Sequence, residues 1–106
     1  MTKAIESKLA RRPLYSQDNK DNPEIVVKFF DPCGRGTWYI TEGERQDDGD
    51  WLLFGLCCID CAELGYVLLS QLEQARLPYG LKIERDRFFS GTMADARKEV
   101  NYMYNN

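Results

Sequence analysis

Three runs rich in β-branched and aromatic residues lie close together in the chain, at Glu24–Phe30, Thr37–Thr41 and Trp51–Cys57. The links between them are a turn cluster, Asp31-Pro32-Cys33-Gly34-Arg35-Gly36, and a segment ending in the acidic tip Asp47-Asp48-Gly49-Asp50. Both are too short for the dozen or more residues of a parallel crossover, so the three runs must pair as antiparallel neighbours. A meander is the economical arrangement.

Around it the chain offers helices. Thr2 caps a first helix through Leu9, with Ile5 and Leu9 on one face, and Arg12-Pro13 ends it. Gly65–Leu69 reads as a fourth strand running into a helix that Ser70 and Glu73 open as a capping box and that stops near Leu77, before Pro78. Leu81–Ile83 and Arg87-Phe88-Phe89 read as short extended pieces. Thr92 caps a last helix with Ala96, Val100 and Met103 inward. The expectation is an α+β fold: a small antiparallel sheet with helices packed on one face, forming one domain over residues 1–106.

The 106 residues include no histidine, which excludes Ser-His-Asp and Cys-His nucleophilic sites and every imidazole-bound metal. The net charge of -3 is unevenly spread: residues 21–66 carry three basic and ten acidic side chains. That acidic centre disfavours direct binding to nucleic acid, whose phosphates it would repel. The longest apolar run, Trp51–Ile59, is too short to cross a bilayer, and Met1–Leu9 has no apolar stretch of the kind a signal peptide carries, so a cytoplasmic setting is expected.

Cys58 and Cys61 form a C-x-x-C, with Cys57 adjacent and Cys33 apart. Neighbouring strand residues point to opposite faces, so this set does not close a zinc site readily, and Gly65 cuts short the helix that a redox motif needs. Reduced, mostly buried thiols are expected, with no cofactor. The acidic tip fails as an EF-hand, because Gly55 falls where the bidentate glutamate belongs. Gly34-Arg35-Gly36 lacks a P-loop ending.

Two constellations remain. In Thr37-Trp38-Tyr39-Ile40-Thr41-Glu42, alternation puts Trp38 with Ile40 and turns Tyr39 to the other face. Tyr39 is therefore the expected outward ring, beside Glu42, in an amphipathic recognition patch. In Glu84-Arg85-Asp86, Arg85 has the chemistry for a buried bidentate pair with a carboxylate. Convergence of Glu42, Glu63, Glu84 and Asp86 would instead give a magnesium-type site.

The same segments resemble, in order, the bacterial family catalogued as domain of unknown function 2958. The similarity runs through Pro13-Leu14-Tyr15-Ser16-Gln17, Lys28-Phe29-Phe30-Asp31-Pro32, Thr37-Trp38-Tyr39 with Glu42, Phe54-Gly55, Glu63-Leu64-Gly65-Tyr66, Leu69-Ser70-Gln71-Leu72, and Gly80-Leu81 with Ile83-Glu84-Arg85-Asp86. It covers about residues 14–89, leaving the two terminal helices as flanks. The resemblance implies a small protein of plasmids, phages or integrative elements, near antirestriction and DNA-processing genes, and no particular activity. Residues and resemblance together point to a non-enzymatic module that binds a protein partner through Trp38, Tyr39, Glu42, Glu63, Glu84, Arg85 and Asp86. The alternative is a metal-dependent hydrolase or nuclease using the clustered carboxylates.

Overall fold

Thr2 opens the chain's first helix, α1 (Lys3–Ala10), its hydroxyl accepting the Ile5 N–H at 3.3 Å. The computed structural model describes residues 2–34 and 36–105; Met1, Asn106 and Arg35, inside the expected Asp31–Gly36 turn, lie outside them. The expected first strand is split at Val26, whose N–H donates to the Ile40 carbonyl at 2.7 Å, into β1 (Glu24–Ile25) and β2 (Val27–Phe30). There follow β3 (Thr37–Arg45), β4 (Trp51–Cys58), β5 (Ala62–Leu68), α2 (Leu69–Glu73), β6 (Glu84–Arg85), β7 (Gly91–Thr92) and α3 (Met93–Asn105). The main sheet is antiparallel in the order β5-β4-β3-β2-β6, and β1 pairs separately with β7. The α+β class and the meander are those expected from the sequence. No helix among the described residues is long and apolar enough to cross a membrane.

Local competition explains where the elements differ from expectation. The Ser70–Glu73 capping box does not form, because Asp50 takes Ser70, accepting both its hydroxyl and its N–H (3.0 Å). Gln71 caps instead, accepting the Leu68 N–H at 3.0 Å, and α2 ends at Glu73 and not near Leu77. The last strand of the sheet is Glu84–Arg85 and not Leu81–Ile83, set by its ladder with Phe29 and Phe30.

Helices cover both faces of the sheet. On one, Ile5 and Leu9 of α1 and Leu69 and Leu72 of α2 pack on Val27, Phe29, Trp38, Ile40, Trp51 and Leu53. On the other, Met93, Ala96 and Val100 of α3 pack on Ile25, Tyr39, Leu56 and Cys58. A strand buried on both sides needs apolar residues at consecutive positions, and Trp38-Tyr39-Ile40 supplies them. Gly55 permits the close approach of β3 and β4: a Cβ there would lie 1.9 Å from the Tyr39 carbonyl oxygen. A bulge at Thr41 interrupts this ladder, so that Ile40 faces Gly55 and Glu42 faces Phe54.

Candidate functional site

Lys28 interrupts the otherwise apolar β2, and its side chain is almost wholly buried on the α3 face. An ammonium group there requires anionic partners, and two elements supply them. Its Nζ lies 3.1 Å from an Asp86 oxygen and also meets Glu99 of α3. The Tyr39 hydroxyl donates to the same Glu99 oxygen at 2.7 Å. The Tyr39 and Phe89 rings lie 5.3 and 5.4 Å from the ammonium and edge-on to one another. Burial, then the bond to Glu99, pushes the Tyr39 phenol far above its ordinary range, so it stays protonated as a donor.

Asp86 also shapes the turn that follows. Its other carboxylate oxygen accepts the N–H groups of Phe88 (2.9 Å) and Phe89 (3.2 Å). The two phenylalanines then diverge: Phe89 goes in against Tyr39, while Phe88 is 99% exposed. Phe88, Phe30 and Met103 with Glu84, Arg85 and Arg87 line an open cleft of about 990 Å³, with Lys28 and Asp86 also on its wall. Asp86 thus holds the Phe88 backbone while the ring stands in solvent.

Pairing with Phe29 puts Arg85 on the other face of the sheet, and there, with Ile83 and with Arg87 from the following turn, it also borders a second pocket of about 370 Å³, so that the two arginines stand between cleft and pocket. Its floor is Ile5, Phe29, Leu69 and Leu72.

The residues expected to act together are distributed across the molecule. Glu84, Arg85 and Asp86 lie together at the cleft. Tyr39, expected outward, is fully buried, because α3 covers the face that was expected to be open; Trp38 is nearly so on the opposite face, among residues of α1 and α2, and both rings are core. Glu42 is 3% exposed, its carboxylate accepting the N–H groups of Tyr15 (2.7 Å) and Gln17 (3.1 Å). It pins the 13–20 loop to the sheet. Glu63 stands exposed on β5, four strands from Glu84, which is roughly 19 Å at about 4.8 Å per strand. The four carboxylates therefore do not converge, and among the described residues no three His, Cys, Asp or Glu side chains form a metal-holding group. Arg85 is exposed and has no ion pair among the described residues; the buried cation is Lys28.

Cys58 is buried and Cys33 and Cys61 are exposed, all as free thiols. Burial pushes Cys58 up to about 11. The Cys61 thiol donates to Glu63 at 3.2 Å, which raises its pKa as well.

The sequence matches the family described as "protein of unknown function (DUF2958)" over residues 1–96. The chain belongs to the DUF2958 family. No curated protein matches it, and no solved structure does. The match reaches back through α1, which the resemblance had left as a flank, and ends within α3. Most of the DUF2958 cleft therefore lies in the family region, Met103 being its lining residue outside.

Sequence reasoning missed Lys28, Phe88, Arg87 and Glu99. The signal for Lys28 was present: a lone lysine among Val26, Val27, Phe29 and Phe30 has to find carboxylates from elsewhere in the chain. Nothing comparable marked Phe88, since a Phe-Phe pair reads as core.

Proposed function

We propose that this DUF2958 domain is a non-enzymatic protein-binding module, acting in the cytoplasm, and that its binding surface is the 83–89 segment with the cleft beside it. The observation that carries this reading is Phe88, exposed to solvent on a turn braced by Asp86 and, through it, by buried Lys28. An exposed aromatic next to two arginines, ringed by polar groups, has the composition of an interface hot spot. The cleft falls within the range of about 300–1,000 Å³ typical of binding sites. Of the residues singled out in the sequence, Glu84, Arg85 and Asp86 belong to this surface, while Trp38, Tyr39 and Glu42 support the fold behind it. The setting on a bacterial mobile element, and antagonism of a host protein, are what the family resemblance implies.

The test is comparative capture. Immobilised wild type in lysate of the native host should enrich a protein that Phe88→Ala fails to retain, a loss of at least about 2 kcal/mol of binding. Urea melts of the two should agree within about 0.5 kcal/mol, because the ring touches little. Equal capture by Phe88→Ala and by a Glu84→Lys variant would remove this surface from consideration.

A further inference from the structure

We infer that the smaller pocket, together with the free edge of β6, receives the C-terminal end of a partner polypeptide that finishes in an aliphatic residue. This rests on the protein-binding reading above and names the partner's chemistry. Three observations meet at β6. The first is its backbone. The Asp86 N–H donates to the Lys28 carbonyl at 3.0 Å, and Glu84 faces Phe30. In an antiparallel ladder this phase turns the N–H and C=O of Arg85 away from β2, toward the open edge of the sheet. An extended peptide could pair there by strand addition.

The second is the pocket. A residue set opposite Arg85 on an added strand points to the same face as Arg85, which is the face of the 370 Å³ pocket floored by Ile5, Phe29, Leu69 and Leu72. That floor is apolar and accepts an aliphatic side chain, while the polar groups, the Thr2 hydroxyl, Glu73 and the two arginines, stand at the margin.

The third is charge. In a chain of net charge -3, this pocket is bordered by two exposed guanidinium groups, Arg85 and Arg87, and one carboxylate, Glu73. Neither arginine has an ion pair among the described residues, so both are available to a carboxylate. An aliphatic side chain and a carboxylate on the same residue occur together at a chain terminus. Charged side chains on so short an edge also keep the sheet from extending onto itself, and the two roles are compatible.

The probe is acetyl-tetraalanyl-leucine with a free carboxylate, titrated into the full chain labelled with 15N. It should bind saturably with Kd below about 1 mM and shift the backbone amides of residues 83–87. Its C-terminal amide, and the aspartate-ended analogue, should bind at least about tenfold more weakly. Arg85→Ala and Arg87→Ala should each weaken the free-acid peptide at least about fivefold while keeping the wild-type melt. Equal binding of acid and amide, or no binding, overturns the inference. So does octanoate binding as well as the peptide without shifting the amides of residues 83–87, which would make the pocket a fatty-acid site. Phe88-dependent capture with no response to the peptide leaves the protein-binding reading standing and this inference fallen. Peptide binding without such capture does the reverse for the cleft.

Discussion

Lys28 and Asp86 lie 3.1 Å apart at the turn that carries Phe88, joining the first strand of the meander to a segment 58 residues later in the chain. The pair is buried on the lysine side and partly open on the aspartate side, with Glu99 completing it. Lys28→Met would leave two carboxylates facing one another across an apolar gap. It should cost about 2–4 kcal/mol in urea melts, a little under a fully buried pair because both acids retain some water. A loss below about 1 kcal/mol would show that the acids turn to solvent at no cost.

Tyr39 separates the two kinds of contribution at one position. Tyr39→Phe removes the hydroxyl donor to Glu99 and should cost about 1 kcal/mol. Tyr39→Ala also opens a cavity between the sheet and α3 and should cost about 3–5 kcal/mol. Near-equal effects of the two variants would mean the ring packs loosely.

Glu42 predicts a local change. In Glu42→Ala the N–H groups of Tyr15 and Gln17 lose their acceptor, at about 1–3 kcal/mol. Hydrogen exchange at those two amides should accelerate far more than at Ile40 or Leu53, which lie in the sheet. Uniform acceleration would mean that the 13–20 loop and the sheet open as one unit.

Acid should weaken the fold partly through Asp86. Burial works against this carboxylate, but the Phe88 N–H, Lys28 and the Phe89 N–H outweigh it and hold the group below its ordinary 3.8. A carboxyl depressed in the folded state contributes stability above its unfolded pKa and loses it as pH falls through the folded value. Melts of wild type between about pH 5 and about pH 2 should therefore decline more steeply than those of Asp86→Asn. Parallel profiles would assign the acid loss to other carboxyls, Asp50 and Asp95 among them, each also held low by its hydrogen bonds.

Thiol labelling should split the cysteines. Cys33 should react first with a disulfide reagent at about pH 8, and Cys61 more slowly because its proton is held by Glu63. Cys58, buried and raised by burial, should react only on unfolding, and half-buried Cys57, also raised by burial, more slowly than Cys33. Fast labelling of Cys58 in the native protein would mean that the end of β4 opens readily.

The strands and their antiparallel order are legible because turn length and β-rich runs are local properties. Thr2 as a cap and the stop at Pro13 are legible for the same reason. The position of Tyr39 is not. Alternation correctly sends it to the face opposite Trp38, but whether that face is covered depends on α3, which begins 54 residues later. The carboxylates fail in the same way: Glu42 and Glu84 carry no local mark that one pins a loop and the other borders a cleft. Arg85 was expected as the buried cation of a carboxylate pair and is exposed instead, since the buried partner of Asp86 is Lys28 from β2.

The bulge at Thr41 bears on how the chain tolerates insertion and loss. Thr41 is the extra residue of β3, so a chain lacking it would keep the facing pairs Ile40 with Gly55 and Glu42 with Phe54 in an uninterrupted ladder. The carbonyl of that residue is also where Gln17 docks, its side-chain amide donating to it at 2.7 Å. Positions 17 and 41 are thus tied in descent: relatives whose third strand is one residue shorter should have replaced the glutamine too, while those that retain it should retain the extra residue.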